Sequence, residues 1–188
     1  MKKLFTLAFA ICALSVSAQY KHSIGGIVGT IYGTSYKTFF SDHFALQADL
    51  GFGLHVNPGA AYVDGVYYGS SRNEGYWNFR VNPNLMYQAP IAQPESGVFS
   101  YFVGGGVQLG VALEYRSPVP MGCAGANAIA GIEWAFNRIP LVLSADFRPG
   151  YSCTFANVNT GTYWTKLSTV SLHMFDWAIG LSARYYFK

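Results

Sequence analysis

Asp176-Trp177-Ala178-Ile179-Gly180-Leu181-Ser182-Ala183-Arg184-Tyr185-Tyr186-Phe187-Lys188 closes the sequence, and its alternation decides the fold. One set of every-other positions is Trp177, Ile179, Leu181, Ala183, Tyr185 and Phe187, all apolar. The other set is Asp176, Ala178, Gly180, Ser182, Arg184 and Tyr186, which holds the charged and small residues. Successive side chains of a strand point to opposite faces, so this segment predicts a strand with one greasy face and one polar face. It is long enough to cross a bilayer as a tilted strand, for which about 9–11 residues suffice. Trp177 at one end and Tyr185 and Phe187 at the other stand where two interfacial aromatic girdles belong, and Trp77 and Trp134 are assigned to the same girdles.

The composition of the whole chain agrees with that segment. Of the 188 residues 51% are hydrophobic, 17% aromatic and only 11% charged, whereas about a quarter of the residues of an ordinary soluble domain are charged. After the first eighteen residues no stretch reads as a membrane helix. The nearest candidate, Ser96 to Leu113, carries no charge, but it is interrupted by Gly97, Gly104, Gly105, Gly106 and Gly110. It also alternates Phe99, Tyr101, Val103, Val107, Leu109 and Val111 against Ser100, Gly104, Gln108 and Gly110. Glycine disfavours helix and the period is two, so strand is expected. Apolar residues spread over alternating segments predict a closed barrel, because lipid cannot satisfy an open sheet edge.

Eight such segments are expected at His22 to Ile31, Gly33 to Phe40, Phe44 to Val56, Tyr76 to Gln88, Val98 to Leu113, Ala126 to Phe136, Pro140 to Tyr151 and His173 to Phe187. The connections Ser41 to His43, Ala89 to Gly97 and Asn137 to Ile139 are short or moderate. Asn57 to Gly75, Glu114 to Gly125 and Ser152 to Leu172 are long. Membrane barrels have short periplasmic turns and longer outer loops. An even number of strands with both termini in the periplasm puts each long connection outside. Pro83, inside the fourth segment, predicts a bulge or a strand that starts later, because proline lacks the ladder donor.

With the apolar face outward, the inward positions collect four bases and four acids: Lys37, Arg80, Arg148 and Arg184 with Asp49, Glu133, Asp146 and Asp176. Charges enclosed in a narrow barrel must pair, since an unpaired one costs several kcal/mol. An eight-stranded barrel is just wide enough for side chains to fill it. The balance therefore predicts a plugged polar lumen and an all-β, eight-stranded, antiparallel, up-and-down transmembrane barrel.

At the other end of the chain, Met1-Lys2-Lys3, the apolar run Leu4 to Leu14 and the small-x-small site Val16-Ser17-Ala18 predict a secretory signal peptide over residues 1–18, leaving residues 19–188 as the barrel domain. Once Lys2 and Lys3 leave with it, ten basic residues face nine acidic ones, a net charge of +1. Nucleic acid is not expected as a partner.

Gly33 to Gly53, G-T-S-Y-K-T-F-F-S-D-H-F-A-L-Q-A-D-L-G-F-G, resembles the strand, tight turn and strand near the start of small bacterial outer-membrane β-barrel proteins. Ile139 to Tyr151 and the terminal A-I-G-L-S-A-R-Y-Y-F look like the last two strands of the same family, which is similar to the OmpA and OmpX barrels. The resemblance covers nearly the whole mature chain and implies an integral outer-membrane location. It also implies a partner, the barrel-assembly machinery, which reads a final strand ending in an aromatic such as Phe187. It implies no cofactor and no agreed activity.

Cys123 and Cys153 are expected at the ends of outer loops in an oxidising setting, where a disulfide would tie two loops, provided their Cα atoms lie within about 7 Å. His22, His43, His55 and His173 show no metal-ligand spacing, so no metal site is expected. Ser171 and His173, two residues apart, share a strand face and are the pair to test for lipid-modifying catalysis; without an acid on that face, no enzyme is expected. Gly104-Gly105-Gly106 lacks the lysine and hydroxyl of a phosphate loop. Outer connections rich in Tyr, Asn, Ser and Gly suit adaptable recognition, with outer-membrane lipid and lipopolysaccharide as expected contacts and a surface ligand or protein as the unknown partner. The readings left standing are a structural or surface-interactive barrel, a narrow pore and a lipid A-modifying enzyme.

Overall fold

The computed structural model describes residues 20–55, 59–71, 76–114, 120–159 and 167–187; the expected leader lies outside them. All regular structure among these residues is strand: β1 (His22–Gly29), β2 (Ile31–Phe39), β3 (Phe44–His55), β4 (Gly59–Val63), β5 (Val66–Ser71), β6 (Tyr76–Ala92), β7 (Gly97–Glu114), β8 (Met121–Phe136), β9 (Leu141–Asn159) and β10 (Leu167–Phe187). Eight of them run in the order β1-β2-β3-β6-β7-β8-β9-β10, and β1 also pairs with β10, so the sheet closes on itself. Every neighbouring pair is antiparallel. The fold is therefore an eight-stranded, up-and-down β-barrel, which leaves no open edge within its closed part.

Its hydrophobicity is inverted. Ile24, Leu46, Leu50, Val81, Leu85, Val107, Ile132, Phe147, Ile179 and Leu181 are exposed on the outer wall, while Lys37, Gln47, Asp49, Arg80, Glu133, Asp146, Arg148 and Arg184 are buried within. A belt of exposed apolar side chains around a polar interior is stable only with lipid outside, so the barrel is a transmembrane one. At the end holding the short turns the interior is sealed by an apolar layer that includes Phe39, Ala45, Met86, Phe102, Val142 and Tyr20.

The turns follow the expected parity. The short connections β2–β3, β6–β7 and β8–β9 lie at one end together with Tyr20 and Phe187; there Phe39 N–H donates to Lys21 O at 2.9 Å and Tyr186 N–H to Pro140 O at 3.1 Å. At the opposite end the strands depart from expectation. β8 begins at Met121 rather than Ala126, β9 continues past Tyr151 to Asn159, and β10 starts at Leu167 rather than His173. Much of what reads as loop between Ser152 and Leu172 is thus ladder, with His173 opposite Cys153 and Leu167 opposite Asn159. The result is an uneven rim, because β1 and β2 have 8 and 9 residues whereas β9 and β10 have 19 and 21.

The connection from β3 to β6 also contains structure. Val63-Asp64-Gly65-Val66 turns with φ of 49° at Asp64 and 80° at Gly65, the two successive positive values that a two-residue hairpin turn requires. The β4–β5 hairpin so formed lies against β10, with Val63 opposite Val170 and Gly59 opposite Met174. β1 leaves β10 at Gly29, opposite Gly180. The hairpin therefore covers part of the β10 edge that β1 is too short to reach.

Pro83 causes no bulge, contrary to expectation. Its carbonyl points toward Gly106 of β7, so its missing N–H is on that side as well. There the β6–β7 ladder skips from Val81 opposite Leu109 to Asn84 opposite Gly106 without changing register, while the β3 side keeps Ala48 opposite Pro83. The irregularity of β6 falls instead between Pro90 and Ala92.

Candidate functional site

The inward faces of β2, β3, β6, β8, β9 and β10 build a charged column. Glu133 of β8 is its lower centre. Oε2 accepts from Lys37 Nζ at 2.7 Å and from Arg184 Nη2 at 2.6 Å. Oε1 accepts from Tyr20 O–H at 2.5 Å and Gln88 Nε2 at 2.8 Å. Lys37 also donates to Gln88 Oε1 and lies 5.0 Å from the ring centre of Phe102. Arg184 Nη1 reaches Ser35 Oγ at 3.1 Å and Gln47 Oε1 at 3.2 Å, and Nη2 reaches Ser144 Oγ at 3.2 Å. Tyr20 precedes the first strand. Burial and the nearby Glu133 carboxylate push its phenol well above the ordinary range, so it remains a donor.

Above this layer Arg148 joins two carboxylates. Its Nη1 donates to Asp49 Oδ2 at 2.5 Å, while Nε and Nη2 fork onto Asp146 at 2.6 and 3.0 Å. Gln47 Nε2 supports Asp49 at 3.1 Å. Higher still, Arg80 Nη1 donates to Gln108 Oε1 at 2.8 Å. Seven of the eight ionic residues singled out from the sequence are thus buried in one lumen, and their charges are paired or hydrogen-bonded as burial demands. The side chain of the eighth, Asp176, lies outside the described residues. The column is filled by guanidinium, ammonium and carboxylate groups bonded to one another, which leaves no wide aqueous path through this layer.

The aromatic residues fall at two levels. Trp77 and Trp177 are exposed on the outer wall toward the tall rim. Tyr185 and Phe187 are exposed at the short-turn end, where Phe187 stacks on His22 at 5.6 Å and Trp134, half-buried, packs on Phe99 at 5.9 Å. At about 3.3 Å per residue, Trp177 to Phe187 measures roughly 33 Å along the strand and about 25 Å once tilted by roughly 40°. That matches the apolar band of about 25 Å in such barrels.

Cys123 and Cys153, the cysteines among the described residues, are not bridged. They lie in strands rather than at loop ends, Cys123 opposite Thr154 and Cys153 opposite Ala124. Adjacent residues of a strand face opposite sides. Cys123 shares the inward face with the buried Thr154, so Cys153 points outward and the sheet separates the two thiols.

A second cluster, only partly legible in the sequence, lies on that outward face above Trp177. His173 Nδ1 is 2.7 Å from Tyr151 Oη, and Nε2 is 3.2 Å from Ser171 Oγ and 3.6 Å from Cys153 Sγ. The ring of Tyr62, from the β4–β5 hairpin, meets the imidazole edge-on at 5.0 Å. The Ser171–His173 proximity follows from their spacing. Tyr151, Cys153 and Tyr62 arrive only through the β9–β10 and β10–β4 registers. His22 and Ser23 are divided by the wall: Ser23 is buried, and His22 lies 3.0 Å from Tyr36 Oη. His43 stacks on Tyr87 at 5.5 Å, and the side chain of His55 lies outside the described residues.

No protein family matches the chain, and no curated protein does. Among solved structures it is similar to Ail, the attachment invasion locus protein of Yersinia pestis, at 12% identity with a TM-score of 0.36, over 90% of this chain and 100% of that one.

Proposed function

We propose that this chain is an integral protein of the bacterial outer membrane, exported by residues 1–18, inserted by the barrel-assembly machinery through the strand ending at Phe187, and active at the cell surface. The observation that carries this reading is the division of labour within the barrel. The lumen is filled by the Lys37–Glu133–Arg184 and Asp49–Arg148–Asp146 networks, whereas β6 to β10 extend well past the length a bilayer needs. Strand that is not needed to cross lipid is available for contact beyond it. The aromatic and hydroxyl side chains on this extension, among them Tyr151 and Phe155, and those on the adjoining β4–β5 hairpin, Tyr62 and Tyr67, suit lipopolysaccharide sugars and a surface partner.

The test has two arms. Membrane fractionation followed by a gel with and without boiling gives an outer-membrane band whose mobility shifts on heating; release without detergent overturns the location. In planar bilayers the intact barrel is electrically silent, and deleting residues 59–71 removes surface binding while the heat shift persists. Steady conductance by the intact barrel overturns the surface role in favour of a pore.

A further inference from the structure

We infer that the mouth at the short-turn end of the barrel binds a small amine: an ammonium group carried on an apolar or aromatic body. A cavity of about 400 Å³ opens there beneath the charged column, within the range usual for small-ligand sites, about 300–1,000 Å³. Its bottom is made by the buried Tyr20, Phe39, Ala89 and Ala135, and its mouth by the exposed Asp42, Gln93, Pro94 and Glu95. The walls are tied in place by the turns themselves. In the β6–β7 turn Gly97 N–H donates to Pro94 O at 3.1 Å, and Asn137 fastens that turn to the next through N–H to Ser96 O and Nδ2 to Glu95 O, both at 3.0 Å. Gly97 packs so closely on β8 that a Cβ would come within 2.4 Å of Ala135 O. In the β2–β3 turn Phe44 N–H donates to Ser41 Oγ at 3.1 Å, and His43 O accepts from Gln88 N–H at 2.7 Å.

The lining selects a ligand by charge and by polarity. Asp42 and Glu95 stand at the mouth, and no base is among the described residues that line the cavity, so an ammonium is attracted and a phosphate or carboxylate repelled. Lys37 lies behind the bottom, 5.1 Å from the centre of the Phe39 ring, with its charge committed to Glu133. The Tyr20 hydroxyl and the Gln88 amide are likewise turned to that network, which leaves Ser100 as the polar group of the bottom. One hydroxyl among rings, alanines and Pro90 is too little to hold a sugar or a second charge, and it suits the apolar end of an amine. Free amino acids fit less well, because their carboxylate would enter beside Asp42 and Glu95. The outer-membrane reading supplies only the compartment in which the amine is met, the periplasm; the charge and shape of the cavity do not depend on it.

Phenylethylammonium serves as the probe, with phenylethanol as its uncharged counterpart and phenylalanine as the counterpart that adds a carboxylate. In the barrel folded in a non-ionic detergent, the amine is expected to give saturable NMR shifts of the Gly97, Val98 and Asn137 backbone amides, and the alcohol and phenylalanine to bind about tenfold more weakly. Exposed carboxylates contribute a few-fold each, so the double variant D42N/E95Q is expected to weaken amine binding about tenfold, to the level of the alcohol. V98F, which fills the cup from its half-buried wall, abolishes binding of both, and each variant is checked for folding by its heat-dependent mobility. Equal affinity for amine and alcohol, amine binding that survives V98F or is unchanged in D42N/E95Q, or no saturable shift in the folded wild type overturns the assignment. Failure of the membrane fractionation alone removes the periplasmic compartment and leaves binding in detergent as it stands.

Discussion

Lys37 Nζ and Glu133 Oε2 meet at 2.7 Å although their strands, β2 and β8, are not neighbours in the sheet. The contact crosses the lumen, and Arg184 reaches the same oxygen at 2.6 Å from a third strand. Removing Glu133 strands two buried cations, whereas removing Lys37 leaves the Arg184 pair in place. Glu133→Ala is therefore expected to lower stability by about 3–5 kcal/mol, and Lys37→Met by distinctly less. Urea unfolding of the barrel in lipid vesicles measures both; equal losses would show that Lys37 and Arg184 do not share one counter-ion.

Tyr20 closes the lower end of the same network, with its hydroxyl on Glu133 and its ring stacked on Tyr186 at 5.4 Å. Tyr20→Phe keeps the ring and deletes the donor, at an expected cost of about 1–3 kcal/mol for a buried acceptor that loses a partner. Tyr20→Ala removes the stacking as well and is expected to cost more. Parallel unfolding curves separate the two contributions.

The β1–β10 seam depends on close approach of two backbones. A Cβ at Gly25 would lie 2.0 Å from the Ala183 carbonyl oxygen, a collision with main chain that no rotamer relieves. Gly25→Val is therefore expected to prevent closure, so that the chain migrates identically with and without boiling. Gly26→Ala, whose added carbon meets nothing nearer than 3.8 Å, is expected to retain the folded band.

Cys123 is buried on the inner face and Cys153 is half-buried on the outer one. Mass spectrometry after alkylation of the folded, non-reduced protein is expected to find both sulfurs as thiols, with Cys153 labelled first. A 2 Da deficit and no labelling would show a bridge and refute the β8–β9 register.

Within the bilayer the sequence was readable because lipid and lumen impose opposite demands on successive residues. Gln47 and Asp49 against Leu46 and Leu50 leave no doubt about the face of β3. Above the membrane that contrast weakens: the outward Cys153, Ser171 and His173 are not strongly apolar and the inward Ser152 and Thr154 carry no charge, which is why the upper parts of β9 and β10 read as loop. The hairpin was legible in principle: Asp64-Gly65 between two valines is a strong local turn signal, hidden by its place in a long polar connection. The cysteines misled because two residues near each other along the barrel axis can still be separated by the thickness of the sheet. Register, which no single segment contains, decides that question and also brings Tyr151 and Cys153 to His173.

The unequal strand lengths make this barrel a directional object within the plane of the membrane. One arc, β1 and β2, ends near the lipid surface, while the wall from β6 round to β10 stands above it like the back of a chair, tallest at β10 beside the short arc. Anything that engages the raised flank must approach from one side, and neighbouring copies in a crowded membrane are not interchangeable by rotation. A barrel of this shape has a front and a back, and its azimuth governs what it can meet.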